Sequence, residues 1–256
     1  MAKGIRKAGE FCWINVLTAQ PEEARKFFSD LFGWTYKDMP EMGGAIIKVD
    51  EHEVGGIWNL DSPGTPPGTP PGIGVMFKVD SADQMAERIR SLGGQTQPPM
   101  DVATNGRMVI AHDPLGANFD LWEAKNSPGS TGDTFTHGVP SWAELLTPDT
   151  KKAGEFYRNL FGWTSSESDM GHTMYTTFKL GDEYAGGMMQ LTSDMGQMQP
   201  GWYVYVTVND VGETVEKAGK AGAHVFMPSM DIPGTGTMAG MVSPQGVLFY
   251  VIKYMM

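Results

Sequence analysis

A long internal repeat constrains the fold of this 256-residue chain more than any other feature. Residues 18–34 recur as residues 147–163, an offset of 129 positions, and both copies end in the four residues Leu-Phe-Gly-Trp. The same offset carries Trp13 onto Trp142 and Gly93 onto Gly222. So many matches in the same order indicate a duplicated folding unit, because a repeat of this length is the signature of one structure built twice.

The stretch between the two copies sets the predicted domain boundary. Residues 125–133 are polar and contain Gly and Pro, a composition that favours neither a helix nor a central strand. We therefore predict a first domain over residues 8–124, a linker over 125–138 and a second domain over 139–256. A second breaker-rich stretch, residues 62–72, lies inside the first copy and predicts a long surface loop or a lid.

Each half is in turn predicted to contain two similar units. Residues 11–17 are typical of a strand, and residues 21–32 have apolar side chains at helical spacing, with Pro21 at the start and Gly33 at the end. Short strands are predicted at 45–49 and 54–58. The pattern then restarts, with a strand at 75–79, a helix ending at Gly93, and strands at 107–111 and 118–122. In the second half, helices are predicted from Pro148 to Phe161 and from Val211 to Ala221. The expected class is α+β, with two βαβββ units and curved mixed sheets in each half.

Composition narrows the function classes. The formal net charge is −11, so the average surface repels phosphate, and no nucleic-acid partner is expected. No stretch of 18 apolar residues and no secretory apolar region occurs, which predicts a soluble, cytoplasmic protein without a membrane partner. Cys12 is the only cysteine, so an internal disulfide and a multi-cysteine zinc site are both excluded.

The order of these motifs resembles the glyoxalase/bleomycin-resistance, or vicinal oxygen chelate, superfamily. The resemblance rests on the aromatic helix with Leu-Phe-Gly-Trp, the three following strands, and the hairpins at residues 113–119 and 243–249. The starts of the two copies, Cys12-Trp13-Ile14-Asn15 and Ser141-Trp142-Ala143-Glu144-Leu145, are similar to those of fused two-domain members. The resemblance implies tandem domains of this fold and leaves the reaction open, because one fold hosts many chemistries.

Metal-using members of that superfamily hold a divalent ion with inward His, Gln or Glu side chains on the first and last strands of each βαβββ unit. A count from the matched motifs gives the equivalent positions in each half. Asp120 is a metal-binding residue type, and the tyrosines are poor ligands for the divalent ions of this family. The standard site is therefore expected to be missing, and no metal ligands are assigned. The positions are Trp13, about Gly56, Gly74 and Asp120 in the first half, and Trp142, about Gly187, Tyr203 and Tyr250 in the second.

Two carboxylates are the candidate catalytic residues. Glu144 shares a strand face with Trp142, and Asp120 lies on the last strand of the first half. If the second half's first strand met that last strand, the two would share a cavity and one pKa would rise, as general acid–base work requires. Capping, an ion pair with an arginine such as Arg107, or exposure to water would explain the same residues without catalysis. The candidate ligand-binding residues are Trp13, Asn15, Trp142, Tyr203 and Tyr250.

Three hypotheses about function follow. The first is a metal-independent member of the superfamily that sequesters or transforms a small organic compound such as an antibiotic or an electrophile, with no cofactor required. The alternative is a metal-dependent lyase, isomerase or dioxygenase that uses Glu144 and Asp120, so a divalent metal stays possible. The third is an interaction protein with vestigial pockets. Whether the chain is an enzyme, and whether it is a monomer or a homodimer, is left open.

Overall fold

The computed structural model describes residues 4–62, 65–171, 173–196 and 198–255. It contains four α-helices and seventeen β-strands within these residues. The first half contains β1 (Phe11–Thr18), α1 (Pro21–Phe32), β2 (Thr35–Met39), β3 (Gly44–Val49), β4 (His52–Asn59), β5 (Gly72–Val79), α2 (Ala82–Ser91), β6 (Gln95–Thr96), β7 (Met100–Val102), β8 (Gly106–His112) and β9 (Asn118–Ala124). The second half contains β10 (Pro140–Thr147), α3 (Thr150–Phe161), β11 (Thr164–Asp169), β12 (Met174–Leu180), β13 (Glu183–Gln190), β14 (Gly201–Thr207), α4 (Val211–Lys220), β15 (His224–Ile232), β16 (Gly236–Val242) and β17 (Leu248–Tyr254).

These elements form four βαβββ modules, two in each half, as the sequence predicts. Module 1A contains β1 to β4, module 1B contains β5 to β9, module 2A contains β10 to β13, and module 2B contains β14 to β17. The first strand of each module pairs in parallel with the last, and the other strands follow antiparallel, giving the order β2-β3-β4-β1 in module 1A and β11-β12-β13-β10 in module 2A. The α+β class with doubled βαβββ units is confirmed.

Local sequence signals explain the helix ends. Pro21 is the first residue of α1, and Gly33 ends that helix in the left-handed conformation that glycine adopts at little cost. Helix α3 begins at Thr150 and not at Pro148, because the Asp149 side chain accepts a hydrogen bond from the backbone N–H of Lys152 and so caps the helix there. Helix α4 ends at Lys220, one residue before its predicted end.

The strands that the sequence does not predict lie at sheet edges. β2 and β11 each come directly after the helix of their module and pair with only one strand, β3 and β12 respectively. All six residues of β11 are exposed, so no alternation of apolar and polar residues marks it. Its strand conformation depends on backbone pairing with β12, which residue patterns do not report.

Packing divides the chain into two compact units that do not coincide with the two halves. Unit 1 contains Met1–Cys12, Val75–Gly129 and Trp142–Tyr203, and thus joins module 1B to module 2A. Unit 2 contains Trp13–Gly74, Ser130–Ser141 and Val204–Met256, and thus joins module 1A to module 2B. Each unit therefore takes one module from each copy of the repeat.

Aromatic clusters fill the core of each unit. In unit 1, the Phe77 ring lies 5.2 Å from Phe161 and 5.5 Å from Trp163, centroid to centroid. In unit 2, Phe249 lies 5.4 Å from Phe28 and 5.7 Å from Phe32. The repeated Phe and Leu-Phe-Gly-Trp residues of one half therefore pack on a strand of the other half.

The two repeated tryptophans also close each core with a hydrogen bond. Trp163 Nε1 donates to the carbonyl oxygen of Gly9 at 2.9 Å, and Trp34 Nε1 donates to that of Gly138 at 2.7 Å. Both bonds are buried, so each satisfies a backbone oxygen that water does not reach, a contribution of about 1 kcal/mol.

A series of side-chain hydrogen bonds crosses the core of unit 1. Trp202 Nε1 donates to the Tyr157 hydroxyl at 2.9 Å, and that hydroxyl donates to Asp113 Oδ2 at 3.2 Å. Asp113 Oδ1 accepts two backbone N–H groups of its own hairpin, from Leu115 and Ala117. Burial raises the pKa of Asp113, although these hydrogen bonds oppose the rise.

No α-helix within the described residues is long and apolar enough to span a membrane.

The shared cores predict how the separated halves behave. We expect fragments 1–129 and 130–256, when co-expressed, to assemble and to co-purify through a tag on one of them, because each unit needs a module from both. Either fragment alone exposes the aromatic face of its first helix and should aggregate or self-associate. Size-exclusion chromatography of the tagged pair and of each fragment measures this. A monomeric single fragment that unfolds cooperatively would contradict it.

The raised pKa of Asp113 predicts a pH-dependent stability. A carboxyl whose pKa in the folded state exceeds its ordinary value of 3.8 stabilises the fold below that value and loses this contribution as the pH rises through the folded pKa. The unfolding free energy of Asp113→Asn minus that of the native chain should therefore increase from acid to neutral pH. Urea titrations of both proteins across this range measure the difference, and a constant difference would show that Asp113 is not perturbed.

Candidate functional site

The candidate residues lie on the sheet faces that are turned away from the helix-side cores, and we call these the far faces. In β10, Ala143 and Leu145 are buried in the core of unit 1, so the alternation of a strand puts Trp142 and Glu144 on the far face. Trp142 is half-buried, whereas the side chain of Glu144 is 7% exposed. Glu144 lies opposite Gly187 in β13, and Gly187 lies opposite Thr177 in β12.

Rings cover Gly187 on this far face. A Cβ at position 187 would collide with the Tyr175 hydroxyl and approach Trp142 Nε1 to 3.1 Å. Trp142 Nε1 donates to Tyr175 Oη at 3.0 Å, so the two side chains form one pair above the glycine. The Tyr184 ring, which is 51% exposed, stands edge-on to Trp142 at 6.3 Å, and Lys179 Nζ lies 4.9 Å above Tyr184. Module 2A thus presents three rings beside one buried carboxylate.

Module 1A, in unit 2, has a related but different far face. Ile14 and Val16 are buried in the core, so Trp13 and Asn15 lie on the far face of β1. Asn15 lies opposite Gly56, and the Trp58 indole is folded over that glycine. Trp58 Nε1 donates to Asn15 Oδ1 at 2.9 Å. The polar atoms of the amide and the indole therefore satisfy each other.

The other two modules also pack rings against strand glycines. A Cβ at Gly106 in module 1B would collide with Trp122, and a Cβ at Gly240 in module 2B would collide with Phe226. Each module thus places a ring where a longer side chain on that strand position would otherwise point, and the missing Cβ makes the close approach possible.

Asp120 lies on the far face of β9 in module 1B. The neighbouring Phe119 and Leu121 are fully buried on the core side, whereas Asp120 is 7% exposed and lies between Met76 and Ile110 in the strand register. In the strand order of the described residues β9 and β10 are not neighbours, since β9 pairs with β5 and β8 and β10 pairs with β13. Both residues belong to unit 1 without direct pairing of their strands, so a shared cavity and a catalytic role for the two carboxylates stay predictions.

Tyr250 and Tyr203 do not lie at paired positions. Tyr250 is opposite Tyr205, and the two rings stack at 4.7 Å with 16° between their planes in unit 2. Tyr203 belongs to unit 1, is half-buried, and donates its hydroxyl to the carbonyl oxygen of Gln199 at 2.8 Å. Burial raises the pKa of Tyr203. In the register of β14 and β17 the residue opposite Tyr250 is Tyr205, and a ligand-binding role for Tyr203 stays a prediction.

The residues that the sequence reasoning missed are Tyr175, Tyr184, Trp58 and Tyr205. Glycines mark two of them, because Gly187 and Gly56 lie where the rings of Tyr175 and Trp58 come close. A glycine on the far face of a strand therefore predicts that a ring covers it. The glycine alone does not predict which residue supplies that ring.

The facing positions do not fit a divalent metal centre of the kind that the superfamily implies. They pair Asn15 with Gly56, Met76 with Asp120, Glu144 with Gly187 and Tyr205 with Tyr250, so no pair offers two carboxylate or imidazole ligands. Within the described residues no three His, Cys, Asp or Glu side chains are grouped closely enough to hold an ion. A protein-bound divalent ion normally takes three or more such ligands.

His52, His137 and Cys12 do not add metal ligands to these positions. His52 Nδ1 lies 2.8 Å from Thr131 Oγ1, and His137 Nδ1 accepts the backbone N–H of Asn209 at 3.2 Å. Burial lowers the pKa of His137, which favours its neutral form. His172 lies outside the described residues. Burial raises the pKa of Cys12 to about 12, so its thiolate is not formed at neutral pH and the thiol is not a ready nucleophile.

The family model described as Glyoxalase/Bleomycin resistance protein/Dioxygenase superfamily matches residues 11–121 and 140–250. A Mycobacterium bovis protein named "Putative glyoxylase CFP32" is 34% identical over 247 residues, covering 94% of this chain and 93% of that protein. The anthracycline biosynthesis protein DauV of a Streptomyces species is 34% identical over 130 residues, 46% of this chain and 47% of that protein.

Solved structures agree on the fold. The Mn(II)-bound glyoxalase from Novosphingobium aromaticivorans has a TM-score of 0.66 at 15% identity, covering 98% of this chain and 83% of that one. A catechol 2,3-dioxygenase has a TM-score of 0.67 at 12% identity, covering 97% and 88%. With both halves matched by the family model and a full-length relative at 34% identity, the chain belongs to the glyoxalase/bleomycin resistance protein/dioxygenase superfamily.

Proposed function

We propose that this chain binds a compact organic molecule against the aromatic far faces of its modules and does so without the divalent metal centre of its superfamily. One observation carries the proposal. The positions that face each other across the first and last strands of each module hold rings, glycine, methionine or an amide, and a carboxylate only at Asp120 and Glu144. Such faces offer stacking and apolar contact, which suit an organic ligand better than an ion.

A planar aromatic ligand is the class that these faces favour. Trp142, Tyr175 and Tyr184 supply ring edges and faces within one module. The names of the Streptomyces relatives DauV and DnrV refer to anthracycline biosynthesis, and those proteins match half of this chain at 34% and 33% identity. Anthracyclines are planar polycyclic compounds. We therefore propose a ligand of similar planar shape, which need not itself be an anthracycline.

Glu144 is the proposed polar anchor in such a complex. Glu144 is buried, so a ligand N–H or O–H group that reached its carboxylate would meet little competition from water. We further propose that Glu144 is the residue that accepts a proton in any reaction of the bound ligand. We propose the same role of polar anchor for Asp120 in module 1B.

A titration followed by tryptophan fluorescence tests the proposal. We expect daunorubicin, an anthracycline, to quench the fluorescence of the native chain saturably, with the same dissociation constant before and after treatment with EDTA. Trp142→Phe should weaken binding about 2- to 10-fold, because the indole loses its ring area and its hydrogen bond to Tyr175.

Elemental analysis of the chain purified without chelator is the companion measurement. A stoichiometric divalent metal, together with loss of ligand binding in EDTA, would overturn the metal-free part of the proposal and favour a metal-dependent enzyme. A failure of daunorubicin and of a wider panel of planar aromatic compounds to quench the fluorescence or to raise the unfolding midpoint would overturn the binding proposal itself.

A further inference from the structure

We infer that the exposed edge strand β11 pairs with β11 of a second copy of this chain, in an antiparallel register centred on Ser166, to form a symmetric dimer. The second repeat provides this interface and the first does not, because the equivalent strand β2 carries residues that block edge pairing. The dimer is independent of the ligand that we propose, so each can be disproved without the other.

Strand β11 leaves one side of its backbone open. Within the described residues it is the last strand of its sheet and pairs with β12 alone. Its six residues are all exposed, and they pair with β12 without a register shift. A straight, exposed edge strand presents N–H and C=O groups that pair with another strand unless the sequence prevents it.

The other three edges of the described sheets carry features that prevent such pairing. β15 contains Pro228 and has two register shifts against β16. β6 and β7 have two and three residues, and Pro98 and Pro99 lie between them. β2 is followed directly by Pro40 and presents the exposed Lys37. Proline lacks a donor, short or bulged strands offer few groups to pair, and a lysine on an edge repels a partner strand.

The two repeats differ at the residues that decide this protection. By the offset of 129 residues, Lys37 of β2 corresponds to Ser166 of β11, and Pro40 corresponds to Asp169. β11 contains no Lys, Arg or Pro. The same place in the module is therefore a protected edge in the first repeat and an open edge in the second.

Side-chain directions and charges select one register for the pair. In a symmetric antiparallel pair, opposed side chains point to the same side of the sheet, so the two-fold axis passes through a residue and not between two. The register centred on Ser166 overlaps residues 164–168, and the register centred on Glu167 overlaps residues 165–169. The second places Glu167 opposite its own copy, which like charges disfavour. The first places serine opposite serine.

The register centred on Ser166 also brings opposite charges together. Glu167 then lies opposite Ser165 of the second copy, and Ser165 points to the side of the sheet where α3 contacts it. Ser165 Oγ accepts a hydrogen bond from Arg158 Nη1 of α3 at 3.1 Å. The carboxylate of Glu167 therefore comes beside the guanidinium of Arg158 in the second copy, and the symmetry makes this contact twice.

The expected dimer is weak and reversible. Pairing of one short strand buries a small surface, and each copy carries a net charge of −11. Salt at physiological concentration, with a Debye length of about 8 Å, screens the long-range repulsion more than the direct contacts between Glu167 and Arg158.

Disulfide trapping tests the register. The one native cysteine, Cys12, is 1% exposed, so an introduced surface cysteine reacts without competition from it. Ser166→Cys should form an intermolecular disulfide on mild oxidation, because opposed residues of an antiparallel pair have Cα atoms about 4.5 to 5.5 Å apart. Thr164→Cys is the matched control, since its two copies would lie about 13 Å apart along the strands. We expect trapping of Ser166→Cys to be about 10-fold faster or more on a non-reducing gel.

Sedimentation equilibrium in physiological salt, from about 10 µM to about 1 mM protein, measures the association of the native chain. Ser166→Lys places two lysines opposite each other, so it should weaken the dimer about 10-fold or more, although it makes the net charge less negative. Thr35→Lys makes the same change of charge on the exposed edge β2, and it should leave the dissociation constant within about twofold.

Exchange of the two charges separates the predicted contact from a general loss of stability. Glu167→Arg and Arg158→Glu should each weaken the dimer, and the double variant should restore it, because opposite charges again meet across the pair. Circular dichroism confirms that each variant is folded.

Three outcomes would overturn the inference: a native chain that stays monomeric at every concentration, a dimer that Ser166→Lys leaves unchanged, or trapping that is faster in Thr164→Cys or Glu167→Cys than in Ser166→Cys. None of them bears on the proposed ligand, which the fluorescence titration tests separately.

Discussion

The packing of each repeat's aromatic helix against a strand of the other repeat is the constraint on which the rest of the structure depends. Phe28 and Phe32 from the first repeat pack on Phe249, and Phe161 and Trp163 from the second pack on Phe77. The two indole-to-carbonyl bonds fix these contacts in direction as well as in distance, because a buried carbonyl oxygen left without a donor costs free energy. Because the helices pack on one face of the strands, the opposite faces of the sheets are the ones available for a ligand site.

The far faces combine strand glycines with rings from neighbouring positions. A glycine on a buried strand face leaves space above it, and close-packed interiors tolerate voids poorly. Here the strand position is a glycine, and a ring from a neighbouring residue fills the space, as with Trp58 above Gly56 and Tyr175 above Gly187. The ring's polar atom must then find a partner, and Asn15 and Trp142 provide one in their respective modules.

The sequence predicts the fold well because its signals are local and repeated. The aromatic helix after the first strand, the glycine that ends it and the hairpin at Asp113 each depend on neighbouring residues, and each occurs twice. It predicts the site less well because the site depends on register. The pairing of Tyr250 with Tyr205 is set by the register of β14 and β17, and the joining of modules 1B and 2A in one unit is set by long-range packing. Neither the register nor the interleaving can be read from residue patterns within one strand.

The two copies of the repeat illustrate how duplication separates stability from function. Unit 1 carries Tyr157 and Asp113, and the matching residues in unit 2 are Phe28, at the offset of 129, and Ser243, one position further on. The same hairpin is therefore held once by a buried carboxylate and once by a hydroxyl. On the far faces, divergence between the two copies places Asn15 in one and Glu144 in the other. The Asn15 amide bonds to the tryptophan of its own module, whereas Glu144 buries an ionisable group at the equivalent place. The duplication thus keeps the strand positions, on which the fold depends, and lets the chemistry at those positions change between the copies.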